Sequence, residues 1–403
     1  MLSLFGAAAA VAVAQAPDPV RCNTTLCYEE ALAPFLVKLR ASRRGSSPPV
    51  HIIQIGDSHT AGDNITNGWR SRLQARHGFG GRGALAAGRP YAGYLTWGVT
   101  ASQTSGWSIN ATFGGRWREG GPSLGISGFT QTANAAGQTI GVSADAPEQN
   151  FDRVILCAVA QPGGGTIRLT MGDEEKRWSL DAPRRLPACH AVDSDSPVAS
   201  ASVTTEDDGV VSITSFGTFR RRGGVVLSNL GVVGAQLSHF GRTDDDVVRA
   251  ELAAYRPDLI VLAFGTNEAF SPSSGGEGYE AVLRDQIARV RRLAGANVPI
   301  LLLGPPDAGT RSAGIGDPGR ACGEGWLEPR ALSRVRERQM IVARQMRTAF
   351  WNWAAAMGGR CASYQWRLTE LMRGDHVHFT RSGGDRIGAM IDADIEPSER
   401  RRP

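Results

Sequence analysis

The run Leu259-Ile260-Val261-Leu262-Ala263-Phe264 is apolar at every position, so both faces of a strand built from it are apolar. Such a strand must be covered on both sides, which is the condition of a parallel sheet flanked by helices. Val50-His51-Ile52-Ile53-Gln54-Ile55, Val225-Val226-Leu227 and Ile300-Leu301-Leu302-Leu303 read as further buried strands. Helical spacing separates them. Ile65, Trp69 and Leu73 recur over 64–76, and helices are also predicted over Glu29–Arg40, Asp244–Tyr255, 278–294 and a long 329–357. Met340, Ala343, Met346, Phe350 and Trp353 would share the inner face of that last helix. The expectation is an α/β fold with a parallel sheet.

Residues 99–222 break this pattern. Long helical periods vanish, and Gly, Ser and Thr alternate with Val, Ile and Trp, as in Thr166-Ile167-Arg168-Leu169-Thr170. Short strands with frequent turns predict a β-sandwich-like insertion. Its aromatic residues (Trp107, Phe113, Trp117, Phe129, Trp178) could meet sugars, but such residues are more often core. The expected layout is one discontinuous α/β domain, 17–98 with 223–395, interrupted by 99–222, with a disordered tail at 396–403.

Residues 1–14 end in small-x-small patterns after a short apolar run and read as a signal peptide cut after Ala14. That predicts a periplasmic or secreted protein with no stable membrane insertion after cleavage. The six cysteines fit disulfides in an exported chain. Sequence leaves their connectivity open. Nearness along the chain favours Cys22–Cys27, Cys157–Cys189 and Cys322–Cys361. The net charge of +5 is scattered, apart from Arg220-Arg221-Arg222 and Arg400-Arg401-Arg402. It forms no concentrated basic stripe, so no nucleic-acid partner is expected.

Four segments carry chemistry. Gly56-Asp57-Ser58-His59 follows a buried strand, and open α/β sheets hold their sites at strand carboxyl ends. Asn229-Leu230-Gly231-Val232-Val233-Gly234 can present a bare backbone N–H to an anionic oxygen. Asn267, in Gly265-Thr266-Asn267-Glu268, carries a carboxamide able to donate to a developing oxyanion. In Asp375-His376-Val377-His378, an imidazole can take a serine proton while a carboxylate holds its tautomer. His378, three residues after Asp375, is favoured over His376, which is adjacent to it. A metal site on the two histidines lacks a completing cluster, so no metal and no cofactor is expected.

Together these segments resemble the SGNH, or GDSL-like, hydrolases. The four family blocks match as Ser58, Gly234, Asn267 and His378, in family order. The resemblance implies a three-layer α/β/α, flavodoxin-like domain. It implies Ser58 as nucleophile, His378 and Asp375 as its partners, and an oxyanion hole from Ser58, Gly234 and Asn267. His59 with Asp63, Gly80-Gly81-Arg82-Gly83, and Phe350 to Gly359 look like the Gram-negative peptidoglycan O-acetylesterases, which also carry an inserted carbohydrate-binding-like module. Glu268 departs from the aspartate of many relatives. The implied function is an esterase removing O-acetyl groups from a polysaccharide, peptidoglycan first, or from another small acyl ester. The alternatives are a lipase or thioesterase, a polysaccharide O-acetyltransferase, and a non-catalytic glycan-binding envelope protein.

Overall fold

The structure is a computed structural model that describes residues 22–42, 48–271, 277–312 and 319–400. The segment read as a signal peptide lies outside them.

The apolar runs form the centre of a sheet whose parallel strands are β1 (Val50–Gly56), β2 (Val225–Gly231), β3 (Leu259–Ala263), β4 (Ile300–Leu303) and β5 (Ala349–Trp351). Their spatial order is β2-β1-β3-β4-β5. Alternate side chains serve opposite faces. Ile53, Ile55, Ile260, Leu262 and Phe350 pack with α3 (Asp245–Tyr255), α4 (Glu277–Ala294) and α5 (Arg330–Gln345). Ile52, Leu259, Val261, Leu301 and Trp351 pack with α1 (Ala33–Ser42), α2 (Asn64–His77) and α6 (Arg381–Arg400). Asp244 caps α3 by accepting the N–H groups of Asp246 and Val247.

The sheet is mixed rather than purely parallel. Cys22–Asn23 and Leu26–Cys27 form a small antiparallel ladder joined by the Cys22–Cys27 disulfide, and Leu26 and Cys27 pair with Trp351 and Phe350. This covers the edge of β5, which would otherwise present unpaired backbone groups.

Two expectations, one of a long helix and one of a disordered tail, differ from what the structure shows. The helix predicted over 329–357 ends at Gln345. Arg347 turns left-handed at φ 51°, and Ala349-Phe350-Trp351 join the sheet as β5, so Phe350 and Trp353 share no helix face with Met340. Tertiary pairing overrides the helical spacing there. In the predicted tail, residues 396–400 are helical. Ile387, Ile391 and Ile395 continue one apolar stripe of α6, and the Ser398 hydroxyl donates to Glu29.

The inserted region is a β-sandwich. One antiparallel sheet holds Val99–Gln103, Thr139–Ala144, Ser200–Thr205, Thr166–Met171 and Glu174–Ser179. The other holds Leu186–Val198, Phe151–Ala160, Val211–Phe219, Phe129–Ala133 and Ser108–Ala111. Between them lie Ile140, Val142, Leu156, Ile167, Leu169, Val203 and Ile213. A further strand, Gly81–Leu85, comes from before residue 99 and pairs with Val211–Phe219. Trp107 and Phe129 are buried, whereas Phe113 is exposed and stacks on His239 at 4.5 Å. The remaining disulfides are Cys157–Cys189, which joins facing residues of two paired strands in the second sandwich sheet, and Cys322–Cys361.

Candidate active site

The three central strands set the site. Gly56 of β1 lies beside Gly231 of β2 and Ala263 of β3. Ser58, Gly234 and Asn267 follow in the loops just beyond these residues, at the carboxyl ends of adjacent strands. Asp57 caps the short helix Ser58–Ala61, its carboxylate accepting the His59 N–H at 2.9 Å. Ser58 thereby sits at the first position of that helix.

The fourth segment arrives from over three hundred residues away. Ser58 Oγ lies 2.9 Å from His378 Nε2, and His378 Nδ1 lies 2.8 Å from Asp375 Oδ2. The link is a tight turn, not a helix. Asp375 Oδ1 accepts the N–H groups of Val377 and His378, each at 2.9 Å. Burial pushes the Asp375 carboxyl up, but these two N–H groups and His378 outweigh it and hold it below the usual range. His376 takes the left-handed region at φ 55° and stacks on Trp326 at 3.7 Å, away from Ser58.

His59 is buried behind this pair, its ring centroid 5.6 Å from that of His378. Nδ1 faces Asp57 Oδ1 at 3.2 Å, and Nε2 faces the Val377 carbonyl oxygen at 2.9 Å. Both partners are acceptors, and only the imidazolium donates from both nitrogens. Burial opposes that charge, yet Asp57 and the Val377 carbonyl raise the His59 pKa on balance. His59 thus ties the helix that begins at Ser58 to the loop bearing His378.

Gly234 adopts φ 79°, and a Cβ there would lie 2.6 Å from Phe113 Cε1. The exposed sandwich aromatic therefore seats on the glycine loop, where only glycine fits. The Asn267 carboxamide donates one N–H to the Ala235 carbonyl at 2.9 Å, which orients it and leaves its second N–H. The neighbouring Glu268 is 3% exposed. Its Oε1 accepts the Leu237 N–H at 2.7 Å, and its Oε2 has no described partner. Burial pushes Glu268 up to about 7.

A buried ion cluster fixes the floor. Asp63 accepts from Arg70 at 3.1 Å and Arg82 at 2.8 Å, and from the Trp97 N–H at 2.8 Å. Burial raises the Asp63 carboxyl, but the two guanidinium groups hold it below the usual range. Arg82 also donates to Asn229 Oδ1, and Asn229 Nδ2 donates to the Thr60 carbonyl. The chain thus connects the Gly81–Leu85 strand, β2 and the helix of Ser58.

A cleft of about 310 Å³ opens beside Ser58, His59 and His378. A larger cavity, about 400 Å³ at Phe79, Asp152 and Arg220 to Arg222, contains none of the candidate residues. Among the described residues, no group of three or more His, Cys, Asp or Glu is placed to hold a metal ion. Residue-level reasoning named His59 and Arg82 only within a motif. Their roles depend on partners distant in sequence, and no local spacing announces those.

No protein-family model and no curated protein sequence matches the chain. Among solved structures, a peptidoglycan O-acetylesterase matches with a TM-score of 0.76 at 26% identity, over 93% of this chain and 99% of that one. A family two carbohydrate esterase from Cellvibrio japonicus aligns at 12% identity and a TM-score of 0.27, over 75% of this chain and 98% of that one. One from Clostridium thermocellum aligns at 11% and 0.29, over 72% and 98%. At those scores neither carries an argument. The chain has an SGNH/GDSL-like esterase fold related to that of the peptidoglycan O-acetylesterase, which supports hydrolase activity in general.

Proposed function

We propose that this protein is an exported serine esterase that removes O-acetyl groups from a polysaccharide, peptidoglycan first among candidates. The observation that carries the reading is the hydrogen-bonded line Ser58 Oγ, His378, Asp375 at the mouth of an open cleft. Similarity to a peptidoglycan O-acetylesterase over nearly the whole chain supports the substrate class. Three disulfides support export, and among the described residues no helix is long and apolar enough to cross a membrane. We read the α/β unit as the three-layer, flavodoxin-like arrangement, on the strength of its strand order and two helix-covered faces. The sandwich is read as its carbohydrate-binding-like insertion.

His378 Nε2 takes the Ser58 hydroxyl proton as Oγ attacks the acetyl carbonyl carbon. The oxyanion is met by the Ser58 N–H, the Gly234 N–H and the Asn267 carboxamide. One such donor is worth ~3 kcal/mol in the transition state. Collapse expels the sugar oxygen, which receives the proton from His378. Water then attacks acetyl-Ser58, His378 takes its proton, and acetate leaves as Ser58 is reprotonated. Asp375 stabilises the imidazolium at each stage. None of these steps needs a metal or an organic cofactor.

The test is acetate release from O-acetylated peptidoglycan and acetylated xylan, with p-nitrophenyl acetate as reporter. Ser58→Ala should lower turnover by about 10³-fold or more with the fold intact by circular dichroism. Undiminished turnover would refute the assignment. A series of acyl chain lengths should favour acetate; a maximum at long chains would indicate a lipase instead.

A further inference from the structure

The cleft beside Ser58 is walled by Ile65, Tyr91, Leu95, Val233 and Phe379, and its lining includes no aspartate or glutamate. Arg373 enters it from the loop that carries Asp375 and His378. The Arg373 side chain is exposed, and its guanidinium has no hydrogen-bond or ion-pair partner among the described residues. Its backbone is fixed, with its N–H donating to the His378 carbonyl and its carbonyl accepting from the His376 N–H. Asn64 lines the same cleft. Its Oδ1 accepts the Trp97 indole N–H at 3.1 Å, which assigns the oxygen and leaves the Nδ2 hydrogens without a described acceptor.

The acids nearest to the reacting pair are already engaged. Asp375 is held by His378 and two backbone N–H groups, and Asp57 by the backbone N–H and the Nδ1 of His59. The lining therefore offers unused donors, one of them a full positive charge, and no unused anion.

We propose that Arg373, with Asn64 beside it, forms a subsite for a carboxylate that the substrate carries next to its acetyl ester. This deepens the esterase reading and rests on it. A guanidinium offers a planar fork matched to a carboxylate, and such charge-assisted pairs are stronger than neutral hydrogen bonds. A neutral acetylated sugar would leave that fork unmatched. Two sources supply the chemistry: a carboxylate on the sugar ring, as in a uronate, or one on a side chain, as in the lactyl group of a muramic acid that carries no peptide.

The experiment measures kcat/KM for mono-O-acetylated methyl glucuronoside, mono-O-acetylated N-acetylmuramic acid and the uncharged mono-O-acetylated methyl glucoside. At low ionic strength one or both acids should exceed the neutral ester by about tenfold or more, and salt should erode the excess. Arg373→Gln should bring the ratio close to one, and Arg373→Glu should invert it. The acid that gains more identifies the source. Equal turnover of acid and neutral esters by the parent, or a preference surviving in Arg373→Gln, would overturn the subsite.

Binding separates this proposal from the esterase reading. In Ser58→Ala, calorimetric titration with the acetylated glucuronoside and the acetylated muramic acid should show affinity that the added Arg373→Gln weakens. Such binding without turnover by the parent enzyme would end the esterase reading and keep the subsite. Turnover without charge preference would do the reverse.

Discussion

A carboxyl that is 3% exposed, with one oxygen unpartnered among the described residues, sits one position from the amide proposed to meet the oxyanion. Burial raises Glu268 from 4.5 to about 7. The unfolded chain releases this proton first, so between those values the folded state holds more protons. Stability is full below the lower value and declines as pH rises through about 7. The difference amounts to roughly 3 kcal/mol at most. Glu268→Gln removes the titration, so the variant should lose less stability than the parent between acidic and mildly alkaline buffer. Thermal unfolding at pH 5 and pH 8 checks this, and equal losses would count against it. Sequence marked Glu268 only as a departure from the more common aspartate. Its shifted titration was not legible, because it comes from residues that fold over it.

Among the elements, α2 shows most plainly how packing supports the site. Its N-cap, Asp63, has φ 50° and makes no side-chain cap to the helix backbone. The carboxylate instead joins Arg70 in the same helix to Arg82 in the Gly81–Leu85 strand, and it accepts from Trp97. Asp63→Asn would leave two buried guanidinium groups without their shared anion, which typically costs about 3–5 kcal/mol. Chemical denaturation should show that loss, and a change within experimental error would mean the cluster has relaxed or hydrated. Helix α2 itself was legible from Ile65, Trp69 and Leu73, which all reach the core. β5 was not. Phe350 falls in the helical spacing that runs from Met340 to Trp353, and its segment is a strand because β4 and Leu26–Cys27 lie on either side.

On the scale of the molecule, sandwich and α/β unit share parts. Gly81–Leu85 pairs with the sandwich strand Val211–Phe219, while a Cβ on its Gly83 would come within 2.3 Å of Ser228 Oγ in β2. Glu251 of α3 is fully buried at the same junction and accepts from the hydroxyls of Thr214 at 2.7 Å and Ser215 at 2.6 Å, and from the Ile126 N–H. Glu251→Ala takes this acceptor from the Ser215 hydroxyl and the Ile126 N–H, each worth about 1–3 kcal/mol when buried and unpaired, while Thr214 keeps the Cys157 carbonyl at 3.2 Å. The variant should be destabilised, with faster hydrogen exchange at the Ile126 amide than at amides in β3. Unchanged exchange there would mean the junction does not depend on this carboxylate.

By itself the sequence determined the buried strands β1, β3 and β4 and the β-rich character of 99–222, and it singled out Ser58, Asp375 and His378 as candidates. These features are local, because strand burial and turn chemistry leave their marks within a few residues. Only the tertiary structure decided that His378 meets Ser58 while His376 turns to Trp326, that His59 holds acceptors on both nitrogens, and that Phe113 of the sandwich closes over Gly234. Each depends on which distant segments the sheet order brings side by side, and nearness in space is not encoded by nearness along the chain.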